Sequence, residues 1–284
     1  MEAAATICMH PPFIGEAWFG DARGRMDTFL LFLLVGFLAQ AVDGALGMAY
    51  GLTSNTVLLA FGVPPAAASA SVHAAEVFTT AASGGSHIYH RNVTWSLWAP
   101  LTVAGVLGGI LGAYVLTGIE GDVIKPFILV YLAVMGVWIL LRSLKQREPR
   151  RIRGYWGAPL GLIGGFMDAI GGGGWGPTAT SALVGAGKDP RRAIGTVNAA
   201  EFFVTLAISA TFVWALLTGH WEQAGALQNY ATAVGGLIVG GLIAAPFAGW
   251  IAKTVPMPVL SRMVGSLILL LAAWQGLQLA GVVA

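Results

Sequence analysis

The sequence predicts an all-α integral membrane protein built from two inverted repeats, each a broken re-entrant helical hairpin followed by three transmembrane helices. Three observations predict it. Charge is scarce: 10% of residues are charged and 56% hydrophobic, against roughly 25% charged in a soluble domain. Residues 93–119, 223–252 and 263–284 hold no Asp, Glu, Lys or Arg, and each run reaches the roughly 20 residues that span a bilayer. Finally, the chain repeats itself at an offset of 125 residues.

The repeat is gapless over about 39 positions, where "VDGALGMAYGLTSNTVLLAFGVPPAAASASVHAAEVFTT" lies over "MDAIGGGGWGPTATSALVGAGKDPRRAIGTVNAAEFFVT". Asp43 falls on Asp168, Gly47 on Gly172, Gly51 on Gly176, Thr53 on Thr178, Pro65 on Pro190 and Glu76 on Glu201. Paired intramembrane carboxylates in register mark two structural repeats, the usual construction of a secondary transporter. The chain therefore divides into a surface segment 1–27, a first transmembrane repeat 28–142, a basic cytoplasmic linker 143–153 and a second repeat 154–284. Residues 1–27 mix both charge signs and lack the apolar core of a cleaved signal peptide.

Within each half a first apolar piece (28–42 or 154–167) runs into a Gly-rich break, and a short second piece follows (52–61 or 177–186). Pieces this short suit a re-entrant hairpin better than a crossing. Three long helices come next, near 65–89, 94–117 and 122–142, with counterparts near 190–216, 224–252 and 256–281. Small-residue pairs Gly105/Gly109, Gly108/Gly112 and Gly236/Gly240 read as helix contacts.

Basic residues decide the topology. If each hairpin enters and leaves on one side, Arg91, Lys188, Arg191, Arg192, Lys253 and Arg262 join the six basic residues of Arg142–Arg153, and 12 of 15 basic residues lie in the cytoplasm. Full crossing of the broken segments leaves only 9 there. The positive-inside rule selects the inverted arrangement, with both chain ends outside.

The break "GGGGWGPT", Gly171 to Thr178, is the clearest candidate site. Irregular backbone at membrane depth survives only when buried in protein or lining a wet cavity. Pro177 suits the first turn of a helix, so the second piece starts inside the membrane with its free N–H groups at the hairpin tip, an anion site. The substrate-binding candidates are Gly172, Gly173, Gly174, Trp175, Gly176 and Thr178, and in the first half Tyr50, Gly51, Thr53 and Ser54. Tyr50 and Trp175 are placed to wall the cavity. Tight helix packing is the competing explanation for the glycines.

Glu76 and Glu201 lie about 16 Å along their helices, near the middle of a core of about 30 Å. Asp43 and Asp168 open the two tips. Ionisable groups at this depth mark ion pathways or proton relays; a structural role, accepting loop N–H groups, is equally open for the aspartates. His73 shares a face with Glu76, and Asn198 takes its place in the second half. These six residues form the proton-coupling or polar core. His73 reads as a hydrogen-bond partner of Glu76 rather than a metal ligand, and His87, His90 and Arg91 as interface anchors. No metal site or cofactor is expected, Cys8 stands alone, and the formal charge of +2 carries no nucleic-acid signal. The partners expected are a small anion and the lipid bilayer.

The duplicated Gly-rich hairpin, the "P…A…S/T" helix start and the basic linker resemble the TauE/SafE family of membrane transporters over residues 28–281. "GGGGWGPTATSALVGAGKDPRRAIGT" matches the family's second-half motif. The resemblance implies export of a small sulfur oxyanion, sulfite or an organosulfonate such as sulfoacetate, across the cytoplasmic membrane. The first half departs from the pattern: in "GALGMAYG", Leu46, Met48 and Ala49 stand where glycines are usual. A cation transporter or channel using Asp43, Glu76, Asp168 and Glu201 is the alternative. An intramembrane enzyme finds little support, as neither G-x-S-x-G nor H-E-x-x-H occurs.

Overall fold

The computed structural model describes residues 22–143, 156–186, 188–221, 230–245 and 256–282, and among these there is no strand. The helices are α1 (Ala22–Leu46), α2 (Tyr50–Ala60), α3 (Pro65–Tyr89), α4 (Trp95–Thr117), α5 (Gly121–Ser143) and α6 (Gly157–Gly171). A π-helical turn (Gly176–Thr180) continues into α7 (Ser181–Gly185), and α8 (Pro190–Leu217), α9 (Ala231–Ala244) and α10 (Met257–Leu279) follow. The expected surface segment before residue 22, most of the basic linker, and both ends of the expected helix 224–252 lie outside the described residues.

Five described helices, α1, α4, α5, α8 and α10, are long and apolar enough to cross a membrane. Their exposed sides are lipid-like. Met26, Leu30, Leu34 and Leu38 form an i, i+4 stripe on α1, and Val130, Val134, Val137 and Leu141 a stripe of mixed i+3 and i+4 spacing on α5. The interior carries the polarity instead: Asp43, Ser69, His73, Glu76, Asp168, Asn198 and Glu201 are all buried. Apolar outside and polar inside is the arrangement of a multi-pass membrane protein with a functional core.

One length differs from expectation. α1 has 25 residues, not the short piece expected over 28–42, because backbone hydrogen bonding carries the helix through charged Arg25 and Asp27 and past Val42. α6, its repeat partner, is short at 15 residues.

Proline starts α3 at Pro65 and α8 at Pro190, where the missing N–H costs nothing. Asp189 caps α8 by accepting the Arg192 N–H at 3.0 Å. Glycine then sets how the helices pack. A Cβ on Gly108 or Gly112 would strike the carbonyl oxygens of Leu162 and Phe166, and one on Gly161 or Gly165 those of Leu101 and Gly105. α4 and α6 therefore touch backbone to backbone and run parallel. α9 repeats this on α1, where Gly236 and Gly240 lie against the carbonyls of Phe29 and Leu33.

Repeat partners meet in the opposite sense. α3 and α8 are antiparallel: His73 faces Phe212, with ring centroids 6.3 Å apart, while Gly84 faces Asn198 and Ala199. α5 and α10 pair likewise, Gly136 beside Leu269 and Leu140 beside Gly265.

Each break folds back on itself. Phe61, one residue past α2, lies 6.0 Å from Phe32, far back along α1. In the second half Thr178 and the Trp175 ring face Gly164 of α6. α6 and α8 also begin at the same end of the bundle, since Gly157 packs on Leu97 while Gly195 packs on Asn92 and the Thr94 N–H donates to Thr196 Oγ1 at 2.9 Å. At the opposite end Pro64, Ala67, Leu116, Glu120, His220 and Trp221 enclose a cavity of about 340 Å³.

Candidate functional site

The two broken segments meet at their tips in the middle of the bundle. A Cβ on Gly173 would overlap the Leu52 nitrogen, and one on Gly51 would fall 2.7 Å from Gly173 Cα and 2.8 Å from Glu76 Oε1. Gly172 (φ +63) and Gly173 (φ +154) hold backbone conformations that side chains disfavour. In the first tip Gly47 (φ 64) and Ala49 (φ 124) do so, and for Ala49 this strain amounts to about 1–3 kcal/mol.

Polar bonds lock the two tips to each other. Asn55 Nδ2 donates to the Gly171 carbonyl at 2.7 Å, and Thr180 Oγ1 donates to the Gly47 carbonyl at 2.8 Å. Asn55 and Thr180 are repeat partners. Sequence reading missed both, although the repeat alignment stacks two polar residues inside otherwise apolar short helices. It also missed Tyr131, whose half-buried ring from α5 packs on Gly171 and Gly174 and whose buried hydroxyl has no partner; a lone Tyr in an apolar helix gives no such signal.

The aspartates brace the tips. Asp168 Oδ1 accepts the N–H groups of Gly174 (2.6 Å) and Trp175 (2.9 Å), and Asp43 Oδ1 accepts that of Tyr50 at 3.4 Å. Asp168 Oδ2 lies 3.2 Å from His73 Nε2, which is 3.9 Å from Glu76 Oε2. A ring nitrogen of His73 and one carboxylate oxygen each of Glu76 and Asp168 thus lie within 4.8 Å of one another.

Asp43, Glu76, Asp168 and Glu201 line one small cavity with Ala49, Gly51, Leu52, Gly173, Gly176 and Pro177. At about 10 Å³ it has room for one water at most. Of the ten substrate-binding candidates, Gly51, Gly173 and Gly176 reach it. Gly172 and Gly174 sit just behind, under Asn55 and Tyr131. Thr53 and Ser54 are buried with hydroxyls lacking any partner, and Thr178 is half-buried beside Gly164. Tyr50 and Trp175 turn away from the cavity: the Tyr50 hydroxyl donates to the Leu237 carbonyl at 3.0 Å and Trp175 Nε1 to the Val197 carbonyl at 3.1 Å. Asn198 is fully buried and neither of its amide atoms has a partner.

Two broken helical segments meeting over a buried polar cavity, inside a bundle that is apolar outside, define a multi-pass membrane transporter. The chain matches the family model described as sulfite exporter TauE/SafE over residues 32–274 and belongs to that family. It is 42% identical over 255 residues to the "Probable membrane transporter protein YtnM" of Bacillus subtilis (strain 168), covering 87% of this chain and 82% of that one. No solved structure matches it. The protein is thus a transporter of the cell membrane.

Proposed function

We propose that this transporter exports a small sulfur oxyanion, sulfite or an organosulfonate, together with protons, and binds the anion where the two Gly-rich tips meet. The observation that carries the reading is the tip cavity itself: two broken helices converge there, and four carboxylates line it with no Lys or Arg among the described lining residues. The description of the family as sulfite exporters supports a sulfur oxyanion as the substrate. Asp43 and Asp168 occupy the N–H groups of Tyr50, Gly174 and Trp175, so an anion entering the cavity meets carboxylate oxygens first. It binds only once carboxylates are protonated or the tips part. Anion and proton movement are coupled by that repulsion.

The arrangement proposed is two repeats, 28–142 and 154–284, inverted in the membrane with a re-entrant hairpin in each. The antiparallel packing of α3 on α8 and of α5 on α10 supports it, since a parallel repeat would align those partners. Arg91, Arg191 and Arg192 are exposed at the end where α6 and α8 begin, which suits the cytoplasmic side. The cavity of about 340 Å³ then opens outward, and Phe212, between His73 (6.3 Å) and Trp221 (5.8 Å), separates it from the tips. A reporter fused after Ala284 is expected to be active only outside the cell, and one inserted in the linker only inside; cytoplasmic activity at Ala284 overturns the inversion.

Proteoliposomes test the function. Labelled sulfite should accumulate in response to a pH gradient, and Glu76→Gln and Glu201→Gln should each flatten the pH dependence several-fold. The four acids also favour a second reading, transport of a cation. Accumulation of Na⁺ or Mn²⁺ with no sulfite movement would establish that reading and remove the first.

A further inference from the structure

The two halves differ at one position that matters for proton chemistry. His73 Nδ1 lies 2.8 Å from the Ser69 carbonyl oxygen. A carbonyl only accepts, so Nδ1 carries a hydrogen and donates it. The other ring nitrogen, Nε2, faces Asp168 Oδ2 at 3.2 Å. Two bare acceptors do not sit at that distance, so one proton lies between them. The remaining Asp168 oxygen is taken by the Gly174 and Trp175 N–H groups. Glu76 Oε2 lies 3.9 Å from Nε2, on a residue 2% exposed, and has no hydrogen-bond partner.

The second half has no equivalent. Asn198 occupies the position of His73 and its amide does not titrate. Asp43, the partner of Asp168, braces its tip, among the described residues, through the Tyr50 N–H alone.

We propose that His73 and Asp168 hold the coupling proton of the transporter, one per protein, with Glu76 as the group that accepts it next. This rests on the proton-coupled reading above. The other titratable groups facing the pair are Asp43 from the α1 tip, Glu201 from α8 and Tyr131 from α5. In the transfer, the N–H bond at His73 Nε2 breaks and an O–H bond forms at Glu76 Oε2. The total number of protons is unchanged. Asp168 Oδ2 is left facing a nitrogen lone pair, so the second hairpin tip loses its bond to α3. Arrival of the proton fastens the tip and departure frees it.

The test uses the full chain and has two readouts. Infrared difference spectra across a pH titration, taken without substrate, read carboxyl and imidazole protonation directly. In proteoliposomes, sulfite accumulation under a pH gradient is compared with sulfite exchange at equal concentrations. His73→Asn, which installs the second-half residue, and His73→Gln are each checked for a wild-type melting temperature. The expected result is loss of one titrating step from the spectra and at least a ten-fold loss of gradient-driven accumulation, with exchange retained. If the folded variants keep both the step and the accumulation, the proposal is overturned. His73-dependent binding of Mn²⁺ or Zn²⁺ in place of a titrating step overturns it as well. A His73-dependent step in a wild-type protein that moves no sulfite leaves the proton site standing and removes the anion reading.

Discussion

Gly173→Leu is expected to abolish the native fold or lower its stability by about 3 kcal/mol or more. The new Cβ would overlap the Leu52 nitrogen and sit 2.7 Å from Gly51 Cα. A flexible side chain can rotate away from a clash, at about 1–3 kcal/mol, but backbone at the meeting point of the two broken segments cannot. The positive φ of 154° adds about 1–3 kcal/mol of strain. Gly276→Ala is the control: its Cβ meets nothing within 4 Å, and a helix-interior Gly-to-Ala change gains about 0.5–1 kcal/mol. Thermal unfolding of purified protein, with gel filtration to count folded material, measures both. A Gly173→Leu protein that melts like wild type would show that the tips do not touch as described. If it also binds sulfite normally, the anion site between the tips goes too.

That expectation shows where sequence reading succeeded and where it ran out. The glycine run was legible as a break that brings backbone close to something. What it approaches was not, because the contact is with the other broken segment, more than a hundred residues away. The repeat alignment told which residues are equivalent but not how they are rotated. Tyr50 and Trp175 align in the repeat, yet their polar atoms reach the carbonyls of Leu237 and Val197 on neighbouring helices, so their rings leave the cavity. Helix limits set by prolines were readable, as at Pro65 and Pro190. The start of α1 was not, since hydropathy marks the lipid boundary and not the end of hydrogen bonding. Both aspartates accept N–H groups from the tips, a contact that the repeat alignment could not show.

Asp168→Ala should destabilise the protein far more than Asp43→Ala, although the two are repeat partners. Asp168 accepts two buried N–H groups at 2.6 and 2.9 Å and faces His73 at 3.2 Å. Its removal orphans both donors, each at about 1–3 kcal/mol, for a total of about 3–5 kcal/mol. Asp43 accepts one N–H at 3.4 Å, and its loss should cost about 1 kcal/mol. Asp168→Asn separates bracing from charge. The amide oxygen can still accept the Gly174 and Trp175 N–H groups, and its NH₂ can donate to a neutral His73 Nε2. That variant should fold nearly as well as wild type while losing the pH response, because no proton is then shared between the two side chains. Unfolding midpoints of the three variants, read beside the infrared titration, decide the matter. Equal losses from Asp43→Ala and Asp168→Ala would mean that the asymmetry of the two tips has no energetic weight. An Asp168→Asn protein as unstable as Asp168→Ala would mean that the negative charge, rather than the acceptor geometry, holds the second tip to α3.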